Sequence, residues 1–357
     1  MMSHIFFVVR SLKLGGAERV LCEVAEYLHR KEYEVTIITF AVDEQEYSVA
    51  SGIERVNLNV PGTGWRKLFV GRKLLHTYLK EQNACICISF DILANILLIL
   101  SAPAKCLRVI SERNAPRQTN LSKASKILRK MTYWRCDRCV FQTEGARDCY
   151  SKRIRNRGII IPNPVKDNLP YRTGVKKEII AIGRLEKQKN YCAMINGVIS
   201  FLDQFPEYTF RIYGAGSQYH NLKKQIVAKG MDEKVRIESP TTDIHHKITD
   251  AEMFIITSNY EGIPNALLEA MAMGFPVVAY DCPPGGCSLL VQNGENGILI
   301  DSQDEVTIAR ALKKYACDDE FREDMGKNAR EVRDRFSLGV IGEKWISLLN
   351  ELEEEIK

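Results

Sequence analysis

Short runs of apolar and β-branched residues recur along most of this chain, and each is followed by a loop and then an amphipathic helical pattern. That alternation is the tightest constraint on the fold. A strand that feeds a helix and returns to the same sheet makes a right-handed parallel crossover, and repeated units build a parallel sheet covered on both faces. Residues 3–9 read as a buried strand, 17–30 as a helix with Val20, Leu21, Val24, Ala25 and Leu28 at helical spacing, and 35–40 as the next strand. Further strands are expected near 55–58, 84–89, 106–110, 139–142 and 158–161. Helices are expected near 66–80, 92–100, 121–135 and 145–153, with Leu121, Ala124, Leu128 and Met131 on one side of the third. Pro162-Asn-Pro164 interrupts the pattern, and a polar stretch runs to about Gly174. Alternation then resumes, with strands near 178–182, 208–213, 234–237, 253–257, 276–280 and 298–300 and helices near 305–315, 320–335 and 341–354. A chain of 357 residues exceeds one ordinary core. The reading is α/β with two domains, 1–165 and 166–335, and a closing helix over 336–357.

Composition narrows the class. The hydrophobic share is 45%, ordinary for a soluble protein. The apolar start at Ile5 is too short for a signal sequence, and the greasiest stretch, 85–104, is broken by Asp91 and Asn95, so neither a leader nor a membrane span is expected. Eleven cysteines are scattered through strand and helix patterns, which suits a reducing cytoplasm. Cys136 and Cys139 have metal-site spacing but no second pair, so no metal is expected there. Net charge is +5, yet 105–157 holds fifteen Lys or Arg against four Asp or Glu, a local +11 that leaves −6 for the rest. Such a surface suits anionic headgroups, at about 1 kcal/mol per basic residue. Nucleic acid is not expected, because no recognisable nucleic-acid module accompanies the charge.

Three strand-to-helix loops carry the candidate chemistry. Gly15-Gly16 opens the first helix and suits an anion at a helix N-terminus; without G-x-G-x-x-G, no dinucleotide fingerprint is present. Gly183 begins a loop with Arg184 and Lys189, a fork and a point charge for phosphate oxygens. In Asn259–Gly274, the loop Gly262–Ile263–Pro264–Asn265–Ala266 leads into a helix expected to open at Pro264, where the missing N–H costs nothing. Glu261 and Glu269 bracket that start, and carboxylates accept hydrogen bonds from hydroxyl-rich ligands. His245 and His246 read as surface residues on a short helix.

The string EGIPNALLEAMAMGFPVVA, with Glu261 and Glu269 separated by seven residues, resembles the E-x7-E signature of retaining glycosyltransferases of family 4. GRLEKQKN at Gly183–Asn190 is similar to the family's G-R-L-x-x-x-K-N motif, GGAERV to its opening loop, and Asn163-Pro-Val to its domain crossing. The resemblance implies the GT-B fold, two Rossmann-like doubly wound domains facing across a cleft. It implies that Arg184 and Lys189 clamp a sugar-nucleotide diphosphate, that Glu261 holds donor-sugar hydroxyls and Glu269 the ribose, and that Pro240 lies in the base-binding loop. Arg113, in Ser111-Glu-Arg-Asn, stands where many members have a histidine; it can bind a phosphate or a hydroxyl but cannot act as a base. No D-x-D occurs, so neither a metal nor a cofactor is expected. The implied partners are a nucleotide sugar, UDP-linked by expectation, a polyprenyl-diphosphate-linked acceptor, and the anionic inner face of a membrane. Capsule, O-antigen or exopolysaccharide assembly is the implied setting. Competing readings are a sugar-nucleotide epimerase, a nicotinamide oxidoreductase and a hinge-closing solute-binding protein.

Overall fold

All seven strands of the first sheet run parallel: β1 (His4–Val9), β2 (Glu34–Thr39), β3 (Glu54–Asn57), β4 (Ile86–Ser89), β5 (Leu107–Glu112), β6 (Arg138–Phe141) and β7 (Gly158–Ile160). The structure, a computed structural model, describes residues 4–83, 85–116 and 122–356; Ala84 and Leu121, expected to begin a strand and a helix, lie outside them. The order is β3-β2-β1-β4-β5-β6-β7. Helices α1 (Gly16–Arg30), α2 (Gly64–Glu81), α3 (Ile92–Ser101), α4 (Lys123–Thr132), α5 (Glu144–Asp148) and α6 (Lys152–Arg155) lie between successive strands. Consecutive residues Ile5, Phe6, Phe7 and Val8 are all fully buried. A sheet with one wet face would bury only alternate positions, so both faces of β1 are covered.

Two expectations need correction here. The single helix expected over 145–153 is two short ones, because Ser151 has extended backbone and starts α6 afresh, while the Tyr150 hydroxyl turns inward to Glu112. The expected apolar side of α4 is not a buried stripe, since Leu128 is half-buried and Met131 is exposed. That helix ends at Thr132 and continues as a 3-10 turn, Tyr133–Arg135. Cys136 and Cys139 pack with Tyr133 and Phe141 in an apolar cluster.

The second sheet has the order β10-β9-β8-β11-β12-β13 and is again wholly parallel. Its strands are β8 (Lys176–Ile182), β9 (Thr209–Tyr213), β10 (Val235–Glu238), β11 (Ala251–Ile256), β12 (Val277–Tyr280) and β13 (Ile298–Ile300). Around it lie α7 (Tyr191–Leu202), α8 (Tyr219–Ala228), α9 (Ile244–Lys247), α10 (Asn265–Met273), α11 (Gly286–Leu290), α12 (Glu305–Cys317), α13 (Asp319–Ala329) and α14 (Val332–Arg335). Strand order reverses between β1 and β4 in one sheet and between β8 and β11 in the other, and ligands of doubly wound folds bind at the carboxyl ends of strands at such points.

The chain divides into two compact units. One is Val165–Ser337; the other combines the residues up to Pro164 with the segment from Leu338. That final segment, α15 (Leu338–Ile356), packs on α1. Its Trp345 is fully buried and stacks on Phe90 at 5.7 Å between centroids, and Glu343 accepts from the Tyr27 hydroxyl at 2.7 Å and pairs with Lys31 at 2.9 Å. The exposed ion pair contributes little, so the indole carries the attachment. Trp345→Ala is expected to destabilise the first unit by about 3–5 kcal/mol in urea titration; an unchanged midpoint would show that the last helix is not part of that core.

Candidate functional site

In the second unit, β8 and β11 are neighbours at the reversal point, so the loops leaving their carboxyl ends meet. They are stitched together by four interactions. The Asn259 N–H donates to the Gln188 carbonyl at 2.7 Å, and the Asn259 side-chain amide donates to the Lys187 carbonyl at 2.9 Å. The Gln188 side chain donates to the Tyr260 carbonyl at 2.9 Å. Lys189 Nζ lies 2.5 Å from Glu261 Oε1, with the two side chains only 13% and 10% exposed. Gly183 leaves room for the lysine stem, since a Cβ there would sit 3.2 Å from Lys189 Cε. Arg184 is exposed and donates to Gln188 Oε1 at 3.3 Å, so its remaining donors face outward on the same loop.

A third loop closes on these two. The Glu261 N–H donates to the Pro283 carbonyl at 3.1 Å. A Cβ on Gly286 would fall 1.4 Å from the Gly262 carbonyl oxygen, so only glycine permits this backbone contact. Gly262, Ile263 and Pro264 are buried. Pro264 is the N-cap of α10 rather than its first residue, with φ −75° and ψ 104°; the helix begins at Asn265 and Ala266, whose turn points its N–H groups out of the helix. Glu269 projects from α10 to His245 Nε2 at 2.8 Å, both side chains being largely buried. His245 is therefore not the surface residue expected, while His246 is exposed. Pro240 is exposed after β10, the edge strand, and two strands separate it from β11.

The first unit presents its own carboxyl edge. Gly15 is the N-cap of α1 and Gly16 its first residue. The Glu18 carboxylate lies against Gly15, 2.3 Å from where a Cβ would be. Arg113 follows β5 and is 9% exposed. Its guanidinium lies over Phe90 at 4.4 Å and Trp345 at 5.6 Å. Nη1 donates to Asn163 Oδ1 at 3.0 Å, an oxygen that also accepts from Gln142 Nε2 at 2.6 Å. Nε and Nη2 have no partner. Burial lowers the pKa of Arg113 to about 9, which still leaves it charged at neutral pH. Its neighbour Glu112 turns to the other side, toward the hydroxyls of Tyr150 (2.5 Å) and Tyr133 (2.9 Å), and burial raises its pKa.

The structure thus brings Lys189, Glu261 and the loop from Gly262 together, with Arg184 on the adjoining turn. Glu269 stands one helical segment on, and Arg113 with Gly15 and Gly16 belongs to the other unit. Sequence reasoning missed His245 as the partner of Glu269, Asn163 as the acceptor for Arg113, and the stitching role of Gln188. Only Asn163 had a sequence signal, its place between two prolines.

Two family descriptions match the chain in turn. Residues 14–169 match "Glycosyltransferase Family 4" and residues 171–332 match "Glycosyl transferases group 1". A GalNAc-alpha-(1->4)-GalNAc-alpha-(1->3)-diNAcBac-PP-undecaprenol alpha-1,4-N-acetyl-D-galactosaminyltransferase of Campylobacter jejuni is 26% identical, over 99% of each chain. The amylovoran biosynthesis glycosyltransferase AmsD of Erwinia amylovora is 23% identical, over 94% of this chain and 96% of the relative. Among solved structures, Anabaena Alr3699/HepE in complex with UDP and glucose superposes with a TM-score of 0.82 at 19% identity, covering 98% of this chain and 100% of that one. The chain belongs to the glycosyltransferases, and its two doubly wound units are those of the GT-B fold.

Proposed function

We propose that this transferase is retaining, and that it moves a hexose or N-acetylhexosamine from a UDP-sugar to a lipid-linked saccharide during assembly of a bacterial surface polysaccharide. The observation that carries the reading is the buried Lys189–Glu261 pair in two loops stitched together at the strand reversal. An ammonium and a carboxylate fixed side by side suit a ligand with a diphosphate beside a polyol. Arg184, Lys189 and the first-turn N–H groups of α10 stabilise charge growing on the departing diphosphate, with no divalent ion required. Glu261 accepts from donor-sugar hydroxyls. Glu269, held by His245, accepts from the ribose, and the loop at Pro240 takes the base. Gly15 and Gly16 let the first unit's backbone approach the donor, and Arg113 adds a cation. As the bond from the anomeric carbon to the diphosphate oxygen breaks, the acceptor oxygen bonds to that carbon on the same face. The acceptor proton passes to the departing oxygen.

Relatives support the finer points. The Campylobacter relative's name specifies an undecaprenol-linked acceptor, and the Anabaena protein was solved with UDP. The +11 stretch would hold the protein against the anionic inner face of the membrane where such lipids reside. No helix among the described residues is long and apolar enough to cross a membrane.

A thermal-shift panel of UDP, GDP, ADP and NAD tests the donor. At one hundred times its dissociation constant a ligand stabilises the native state by about 2.7 kcal/mol. A rise with UDP alone is expected; a rise with GDP or ADP alone would replace UDP as the donor nucleotide. In steady-state assays, Arg184→Ala is expected to lower kcat by roughly 10²–10³-fold. Glu261→Ala, with its fold verified by circular dichroism, is expected to lose a comparable factor in kcat/KM, and undiminished turnover would remove Glu261 from the site.

A further inference from the structure

The first unit contains a cavity of about 440 Å³ between the opening turns of α2, α3 and α4. That volume lies in the range of roughly 300–1,000 Å³ typical of small-molecule sites. Its walls are mainly apolar: Trp65 and Leu68 from α2, Ile92, Leu93 and Ile96 from α3, and Leu128 from α4. Among the described residues, α2 and α4 also carry exposed apolar side chains, with Trp65 61%, Phe69 65%, Ile127 60% and Met131 64% exposed. Clustered exposed hydrophobics of this kind mark interaction sites. The charge on α2 and α4 is almost all positive, and the nearby Asp91 is used as the N-cap of α3, where it accepts from the Ala94 N–H. Lys67 lines the cavity, Arg66, Lys123, Lys126 and Lys130 are exposed on the same two helices, α4 has no carboxylate, and α2 has none before Glu81.

Position separates this cavity from a general membrane-facing patch. The helices that line it start where β3, β4 and β5 deliver the chain, at the carboxyl edge that also holds Gly15, Gly16 and Arg113. In doubly wound folds that edge receives the substrate; α3 and α4 are capped by their own Asp91 and Ser122 side chains, whereas the N-cap of α2, Thr63, makes no side-chain cap bond, so the start of α2 suits a phosphate. We propose that the cavity seats the first part of the hydrocarbon chain of the acceptor's lipid, an isoprenoid ending in a diphosphate, with the lysines facing the phosphates. The inference deepens the lipid-linked acceptor reading above and rests on it.

Calorimetric titration of the full chain with farnesyl diphosphate, geranyl diphosphate and inorganic diphosphate tests it. Affinity is expected to rise about tenfold from geranyl to farnesyl, since each buried methylene contributes. Trp65→Ser and, separately, Leu128→Gln are each expected to weaken farnesyl diphosphate about tenfold while leaving the UDP-induced thermal shift intact. Equal affinity for all three ligands, or no loss in either variant, would overturn the proposal. So would binding to phosphatidylglycerol vesicles without any binding of farnesyl diphosphate, which would assign the patch to the bilayer. The UDP shift of the parent protein reports on the donor reading independently, so the two can fail separately.

Discussion

The loops at the strand reversal of the second unit depend on one ion pair formed where solvent is nearly excluded. Lys189 and Glu261 lie 72 positions apart in sequence, yet their loops leave adjacent parallel strands, and the sheet delivers them to each other. Neither charge would be stable alone at that depth, because desolvation costs several kcal/mol per ion. One backbone bond, from the Asn259 N–H to the Gln188 carbonyl, and the amide side chains of Asn259 and Gln188 hold the loops together beside the ion pair. The third loop, pressed against Gly262 by a contact only Gly286 permits, leaves little freedom in the turn that opens α10. The arrangement is preorganised, which is what stabilising a transient anion requires.

The other unit shows how one strand end can serve two purposes. Glu112 and Arg113 are consecutive, so their side chains leave opposite faces of the extended chain. The carboxylate enters a network with Tyr133, Tyr150 and Asn95 that satisfies it inside the core. The guanidinium lies over Phe90 and Trp345, with one donor used and two left over. A buried polar group is costly unless paired. The carboxylate's pairing stabilises the strand end, while the arginine is left with two buried donors unpaired.

Alternation of buried runs and amphipathic helices made both sheets legible, because a parallel strand buried on two faces must be continuously apolar. The loop residues Arg184, Lys189, Glu261 and Glu269 were legible for a different reason: their spacing within each loop is local, and strand-to-helix turns hold it. What escaped depended on contacts between distant segments. Nothing near His245 announces that it will meet Glu269 from another element. Tyr150 ends one helical segment early because its hydroxyl has a partner on β5, and periodicity contains no trace of that partner. Met131 falls at a helical core position but remains exposed, and among the described residues nothing buries it. Pro264 was misplaced by one position, within the ordinary uncertainty of helix ends.

The return of α15 gives the two units unequal histories during synthesis. The second unit is one continuous segment, Val165–Ser337, and every strand of its sheet is made before α15. The first unit is made earlier but lacks Trp345 until α15 follows the second unit out of the ribosome, so the apolar surface around Phe90 waits uncovered throughout translation of its neighbour. Domains that fold as they are made usually complete in order from the N-terminus. Here the later segment can close first, and a chain that stops short of its last helix would retain a complete second unit beside a first unit with an open core.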